Sequence, residues 1–263
     1  MSIVIGDRID KNDFGLLYGF SLFETFLVNR EGKIFLLDGH LNRLFNSMDF
    51  LKFNLEFSKS NLKREILKYV ELNNIQNKVM RVTVTYGNKL KNIKSKVIIS
   101  TRENTLSEEN YKSGYKLKIS DVKKSKESYV LRHKTSNYLE NYIISQKALE
   151  EGFNDALFLN TDNEITETTR CNMFFVKNNV IYTPTLECGL LPGVIREWVI
   201  KKADKLGIKV YQGKYSVEDL LDCDYAFVTN SVIGIMGISY IEDKKIKMKD
   251  FFYRDYINEF ENL

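Results

Sequence analysis

Residues 102–114 are polar and lack a β pattern, and they separate two stretches in which strand and helix patterns alternate. Such a break in a chain of 263 residues, longer than the ~100–200 of one ordinary domain, predicts two unequal parts, 1–104 and 105–263. In the first part, Leu22-Phe23-Glu24-Thr25-Phe26-Leu27-Val28 is aromatic and β-branched and reads as a strand, with 33–37 pairing back across a turn at 29–32. Asp38 is expected to cap a helix whose apolar positions Leu41, Leu44, Phe45, Met48 and Leu51 recur every three or four residues. A second helix is expected near 60–73, then strands at 79–86 and 96–101 around the polar loop 87–95.

The second part predicts strands at 115–119 and 128–132, then a helix at 137–151 stopped by Gly152. Strands follow at 156–160, 164–166 and 172–176, the last turned back at Asn178-Asn179, residues that tolerate positive φ, into 180–182. Pro192-Gly193 opens a helix with a buried stripe of Ile195, Trp198, Val199, Ala203 and Leu206, ended by Gly207. Ala226-Phe227-Val228 is a short buried strand. The fold class is α+β.

Composition narrows function. Charges are interspersed and sum to only +4, so no nucleic-acid-binding face stands out. The densest basic cluster, Lys123-Lys124-Ser125-Lys126, is followed by Glu127 and reads as a solvated loop or strand edge. Residues 1–10 hold no apolar run of signal length, and no stretch nears the ~18–20 apolar residues of a membrane span. A soluble, cytoplasmic protein without nucleic-acid or membrane partners is expected. Cys171, Cys188 and Cys223, odd in number and widely spaced, read as reduced thiols. With only His40 and His133, a histidine-rich metal site is excluded and a Ser-His-Asp triad has few candidates.

Singly, the chemically interesting residues are ordinary: a lysine such as Lys134 is usually on the surface, and Pro-Gly commonly opens helices. Their order is not ordinary. His133-Lys134-Thr135-Ser136-Asn137-Tyr138 is followed by Thr166-Glu167-Thr168-Thr169-Arg170-Cys171-Asn172, then Tyr182-Thr183-Pro184 and Leu191-Pro192-Gly193-Val194-Ile195-Arg196. Phe23-Glu24-Thr25 and His40-Leu41-Asn42-Arg43-Leu44 precede them. This set resembles the class-IV aminotransferase family, which holds branched-chain aminotransferases, D-amino-acid aminotransferases and aminodeoxychorismate lyases.

The resemblance implies a two-domain, fold-type IV, D-amino-acid aminotransferase-like enzyme that uses pyridoxal 5'-phosphate, acts on a small-molecule substrate and pairs as a homodimer. It implies Lys134 as the Schiff-base lysine and proton shuttle, a task suited to an amine whose pKa falls on desolvation. It implies Glu167 at the pyridine nitrogen, keeping the ring an electron sink. Arg43, the amides of Val194 and Ile195 at a helix start, and Ser231 would take the phosphate. Tyr138 either reaches the cofactor's phenolic oxygen or is simply a packed aromatic.

Three details bear on substrate. The Lys134–Tyr138 spacing is shorter than that usual in branched-chain enzymes. The loop Gly87-Asn88-Lys89-Leu90-Lys91-Asn92 lacks the Arg-x-His pair of the D-amino-acid enzymes. Phe23-Glu24-Thr25-Phe26 and Thr229-Asn230-Ser231 most resemble the lyases. Gly234 and Gly237 depart from the family pattern, and Lys89 and Lys91 either pair with a dicarboxylate substrate or are solvated. A 4-amino-4-deoxychorismate lyase is therefore expected, with an aminotransferase for branched-chain or D-amino acids, or a non-catalytic module keeping the fold, as alternatives.

Overall fold

The computed structural model describes residues 8–53, 56–249 and 252–263, so the first seven residues of the N-terminal reading lie outside it. It divides into two compact units. One comprises Met1–Thr105, His133–Asn137 and Glu259–Leu263; the other comprises Leu106–Arg132 and Tyr138–Asn258.

The first unit contains α1 (Phe14–Leu17), β1 (Ser21–Val28), α2 (Leu37–Phe50), α3 (Lys59–Leu72), β2 (Lys78–Thr85) and β3 (Val97–Glu103). Its antiparallel sheet has the order β1-β2-β3. Because side chains alternate along a strand, Leu22, Phe26 and Val28 of β1 and Met80, Val82 and Val84 of β2 share one face. They form a core with Leu41, Leu44 and Met48 of α2 and Leu62, Ile66 and Val70 of α3. Two local expectations fail here. Residues 33–37 form no strand: Asn29 captures the amides of Glu31 and Lys33 in a tight turn, a single bridge joins Val28 to Ile34, and Leu36 then turns left-handed into α2. Asp38 is not the cap, lying inside the first turn of α2 with its carboxylate on Lys63.

Lys134, expected in the second part, groups with the first unit. The reason is backbone pairing. Phe23 N–H donates to the Lys134 carbonyl (2.9 Å), Ser136 N–H donates to the Ser21 carbonyl (3.0 Å), and Leu22 bridges Thr135. The 133–136 stretch thus lies along the edge of β1 that β2 leaves open. The strand expected at 128–132 is a 3-10 turn, Tyr129–Arg132, in which Leu131 N–H reaches back to the Ser128 carbonyl.

The second unit contains α4 (Glu108–Ser113), β4 (Tyr115–Ile119), α5 (Leu139–Glu150), β5 (Asp155–Leu159), β6 (Ile165–Thr168), β7 (Asn172–Lys177), β8 (Val180–Pro184), α6 (Val194–Lys205), β9 (Val210–Gly213), α7 (Val217–Leu221), β10 (Tyr225–Asn230), β11 (Gly234–Ile241), β12 (Lys244–Lys245) and α8 (Tyr253–Glu261). The last residues of α8 group with the first unit. Strands run β10-β11-β4-β5-β6-β7, and β7 pairs back onto β10, so they close into a ring. Its interior is apolar, with Leu117, Leu157, Ile165, Met173, Phe175, Val228, Met236 and Ile238. On β7 one edge is taken by β10. The other is shared: Asn172 pairs with Glu167 of β6, while Phe175, Val176 and Lys177 pair with β8. Asn178 and Asn179 both have positive φ in the β7–β8 turn. α5 packs Ile144 and Ala148 on Ala156 and Phe158, outside the ring. Of the α6 stripe, Ile195, Trp198, Val199 and Ala203 are buried, but Leu206, the C-cap, is exposed.

Candidate active site

The sequence-predicted residues fall into two groups, one in each unit. In the first, Glu24 occupies an inward position of β1 between Leu22 and Phe26 and is wholly buried. A carboxylate there needs partners, and α2 supplies them from one face, three residues apart. Arg43 donates Nε to Oε1 (2.8 Å) and Nη2 to Oε2 (2.6 Å), and His40 Nδ1 lies 2.6 Å from Oε2. Burial alone would raise the Glu24 pKa, but the Arg43 and His40 partners outweigh it and hold it at about 2. Burial lowers that of His40 despite Glu24. Arg43 is thus a guanidinium gripped along one edge by a fork.

Lys134 lies on the other side of β1. Its Nζ is 4.7 Å from the centroid of the Phe23 ring, and the Arg81 guanidinium carbon stands 3.5 Å from the same centroid. Both contacts are within cation–π range.

In the second unit, the β6–β7 turn gathers the remaining candidates. Thr168 Oγ donates to buried Asp155 (2.8 Å) and accepts the Cys171 amide (2.9 Å), while Thr169 Oγ donates to the other Asp155 oxygen (2.5 Å). Glu167, half-buried, accepts from Asn172 Nδ2 (3.3 Å) and from the Leu191 amide (3.2 Å). Asn172 Nδ2 also donates to the Leu191 carbonyl (2.9 Å), tying the turn to the approach of α6. Val194 and Ile195 are the first two residues of that helix, whose N-cap, Gly193, offers no side chain. Tyr138, at the N-cap of α5, donates its hydroxyl to the Thr169 carbonyl (2.6 Å), and burial raises its pKa, keeping it a donor. Ser231 follows Asn230, whose Nδ2 donates to the Arg170 carbonyl (3.3 Å) and contacts Cys171 Sγ (3.1 Å). Burial pushes the Cys171 thiol up to about 12, so it is inert.

The Amino-transferase class IV pattern matches residues 21–241. The aminodeoxychorismate lyase of Bacillus subtilis (strain 168) is 31% identical over 237 residues, spanning 88% of this chain and 80% of that protein. The chain belongs to the class-IV aminotransferase family. Among solved structures, a Legionella pneumophila protein provisionally assigned as a 4-amino-4-deoxychorismate lyase superposes with a TM-score of 0.88 at 26% identity, covering 98% of this chain and 97% of that one. The T.th. branched-chain amino acid aminotransferase with pyridoxamine 5'-phosphate gives 0.87 at 25%, covering 97% and 88%. This class-IV aminotransferase family member therefore has the mixed α+β, fold-type IV architecture and is a pyridoxal-phosphate enzyme, a lyase or an aminotransferase.

The residues suit the family's cofactor. A Cβ on Gly193 would fall 1.8 Å from Asn172 Oδ1, so glycine lets the helix start approach the Glu167–Asn172 pair. Thr229 Oγ is buried without a protein partner on the strand that pairs with Asn172. Uncapped helix amides and an unmet hydroxyl suit an anion. Sequence reasoning left Glu24 and His40 without roles, although a charge in the inward row of an apolar strand was the available signal. It also misplaced Lys124. That lysine is buried, not solvated, with Nζ 2.7 Å from Asn141 Oδ1 and 4.1 Å from the Phe158 ring centroid.

No helix among the described residues is long and apolar enough to cross a membrane.

Proposed function

We propose that this enzyme is a 4-amino-4-deoxychorismate lyase, releasing 4-aminobenzoate and pyruvate. The observation that carries this reading is the 31% identity to the Bacillus subtilis lyase along most of both chains. The loop after β2 supports it, since it offers no Arg-x-His pair. Lys91 there is engaged with Asn12 Oδ1 (2.7 Å), and Lys89 lies 5.7 Å from the Tyr86 ring centroid.

Pyridoxal 5'-phosphate, when bound, supplies an electron sink for the charge left by proton removal beside the substrate nitrogen. Lys134 would hold the cofactor, and its amine, once released, would take the ring proton geminal to the substrate amine. Glu167, fixed by Asn172 and the Leu191 amide, would keep a proton on the pyridine nitrogen. Arg43, the Val194 and Ile195 amides and Ser231 would hold the phosphate. Tyr138, whose one hydroxyl hydrogen rests on the Thr169 carbonyl, would turn it to the phenolic oxygen when the cofactor is bound. The ring C–O bond of the enolpyruvyl ether would then break, the departing enolpyruvate would take up the proton that Lys134 removed and become pyruvate, and the six-membered ring would become aromatic. The protein acts as a homodimer, a reading supported by the exposed apolar side chains Leu139, Tyr142 and Ile143 on α5.

The test is product formation without an amino acceptor. A lyase makes 4-aminobenzoate and pyruvate in equal amounts over many turnovers. Efficient exchange between leucine or D-alanine and 2-oxoglutarate, with aminodeoxychorismate untouched, would establish the second reading. That reading, an aminotransferase, draws support from the similar superposition on the branched-chain enzyme.

A further inference from the structure

Lys124 is the one residue of the basic cluster 123–126 that the fold withdraws from water, at 4% exposure. A buried ammonium requires compensation. Its backbone is fixed by bonds to the Leu159 carbonyl and from the Thr161 amide, so it lies beside β5. Its Nζ donates to Asn141 Oδ1 (2.7 Å) and lies against the Phe158 ring. Asn141, with its oxygen engaged, turns Nδ2 to the Thr169 carbonyl (2.8 Å). That carbonyl also accepts the Tyr138 hydroxyl (2.6 Å). Thr169 itself is held by its amide on the Ala156 carbonyl and its hydroxyl on Asp155, so the carbonyl has little freedom to follow the tyrosine. Burial lowers the Lys124 pKa, and the carboxylates of Glu167 and Glu140 oppose that shift.

We propose that Lys124 is a positioning residue for Tyr138, acting through Asn141 and the Thr169 carbonyl. An ammonium can only donate, so it selects the amide orientation in which Asn141 Oδ1 faces Lys124 and Nδ2 faces Thr169. In the opposite orientation Nδ2 would face three donor hydrogens and Oδ1 would face a carbonyl. Lys124 thus specifies which end of the amide meets the β6–β7 turn, and with it the second donor on the oxygen that holds Tyr138. The functional part of this inference rests on the proposed roles of Tyr138 and Glu167 toward the cofactor; the relay itself does not.

The relay is tested first, in the full-length protein with ring-labelled tyrosine and the Tyr138 resonance assigned by Tyr138→Phe. Lys124→Met, which keeps length but loses the charge, should shift that resonance, and Asn141→Ser should shift it likewise. Lys124→Arg should return it toward the wild-type position. Turnover should follow: Lys124→Met loses about tenfold in kcat, the rate equivalent of one lost hydrogen bond, and the loss should not add to that of Tyr138→Phe. If Lys124→Met does not fold, Asn141→Ser cuts the same relay at a half-buried position and decides the matter. An unmoved Tyr138 resonance in Lys124→Met or Asn141→Ser, or additive losses with Tyr138→Phe, overturns the proposal. Failure of the cofactor reading shows separately, as wild-type protein in which borohydride attaches no cofactor to Lys134.

Discussion

Glu167 and Asn172 are the register pair that joins β6 to β7, and the same asparagine amide bonds both the Glu167 carboxylate and the Leu191 carbonyl ahead of α6. The carboxylate is therefore held by the β6–β7 turn and by the approach to α6. Glu167→Gln keeps the shape and loses the charge. Cofactor should still bind, while turnover falls by at least ~10²-fold, because losing a charge-assisted bond of ~3 kcal/mol weakens the electron sink. Absorbance of bound cofactor and steady-state rates measure the two effects separately. Near-normal turnover at full occupancy would assign ring protonation to another group.

Gly193→Ala places a methyl group on Asn172 Oδ1, 1.8 Å from where its Cβ must go. Asn172 has to give up its bonds or the helix start has to retreat. Cofactor affinity, read by equilibrium dialysis, should weaken by about tenfold or more, as expected for ~1–3 kcal/mol of disturbed polar contacts. The melting temperature should change little. Unchanged affinity would mean that the helix start does not contact the phosphate.

Lys134 should carry the cofactor. Purified protein should be yellow, and reduction with borohydride should bleach it and leave the label on the peptide containing residue 134. Lys134→Ala should be essentially inactive. Label on Lys124 or another lysine would refute the assignment.

The Glu24 cluster predicts acid sensitivity. Its folded pKa, about 2, lies below that of an exposed glutamate, so its contribution is complete above pH ~4.5 and is lost as pH falls toward 2. His40, kept neutral by burial, takes up its proton more readily in the unfolded chain, so it too costs stability on acidification, beginning below about 6.5. Urea denaturation between pH 7 and 3 should show this loss. Glu24→Gln should cost about 3–5 kcal/mol at pH 7, as breaking a buried pair does, and flatten the acid limb. A variant as stable as wild type would remove Glu24 from any role in fixing Arg43.

Much of this was legible in sequence where the cause is local. The Asn178-Asn179 turn, the 3–4 spacing of Leu41, Leu44 and Met48, and Gly193 before Val194 each follow from a neighbour's geometry. The failures came where a distant partner decides. Residues 33–37 have strand-like side chains, but Asn29 and left-handed Leu36 divert the backbone into α2. Lys134 follows the helical turn 129–132 in sequence yet pairs with Phe23, more than a hundred residues away. Lys124 sits in a run of lysines that reads as solvated, and only the packing of Phe158 and Asn141 shows otherwise. The roles at the site came from an ordered set of motifs, because spacing alone cannot say that Glu24 and Arg43 meet.

The ring also sets an order of events during synthesis. β4 begins at Tyr115, but its partner β11 ends only at Ile241, and β7 must wait for β10. A chain emerging from the ribosome therefore holds the Glu167 turn in an open sheet with unpaired edges until β10 and β11 have been made. The first unit's three strands, by contrast, are complete by Glu103. Nascent chains halted between these two points would present exposed strand edges, the species that chaperones bind and that aggregate when unprotected.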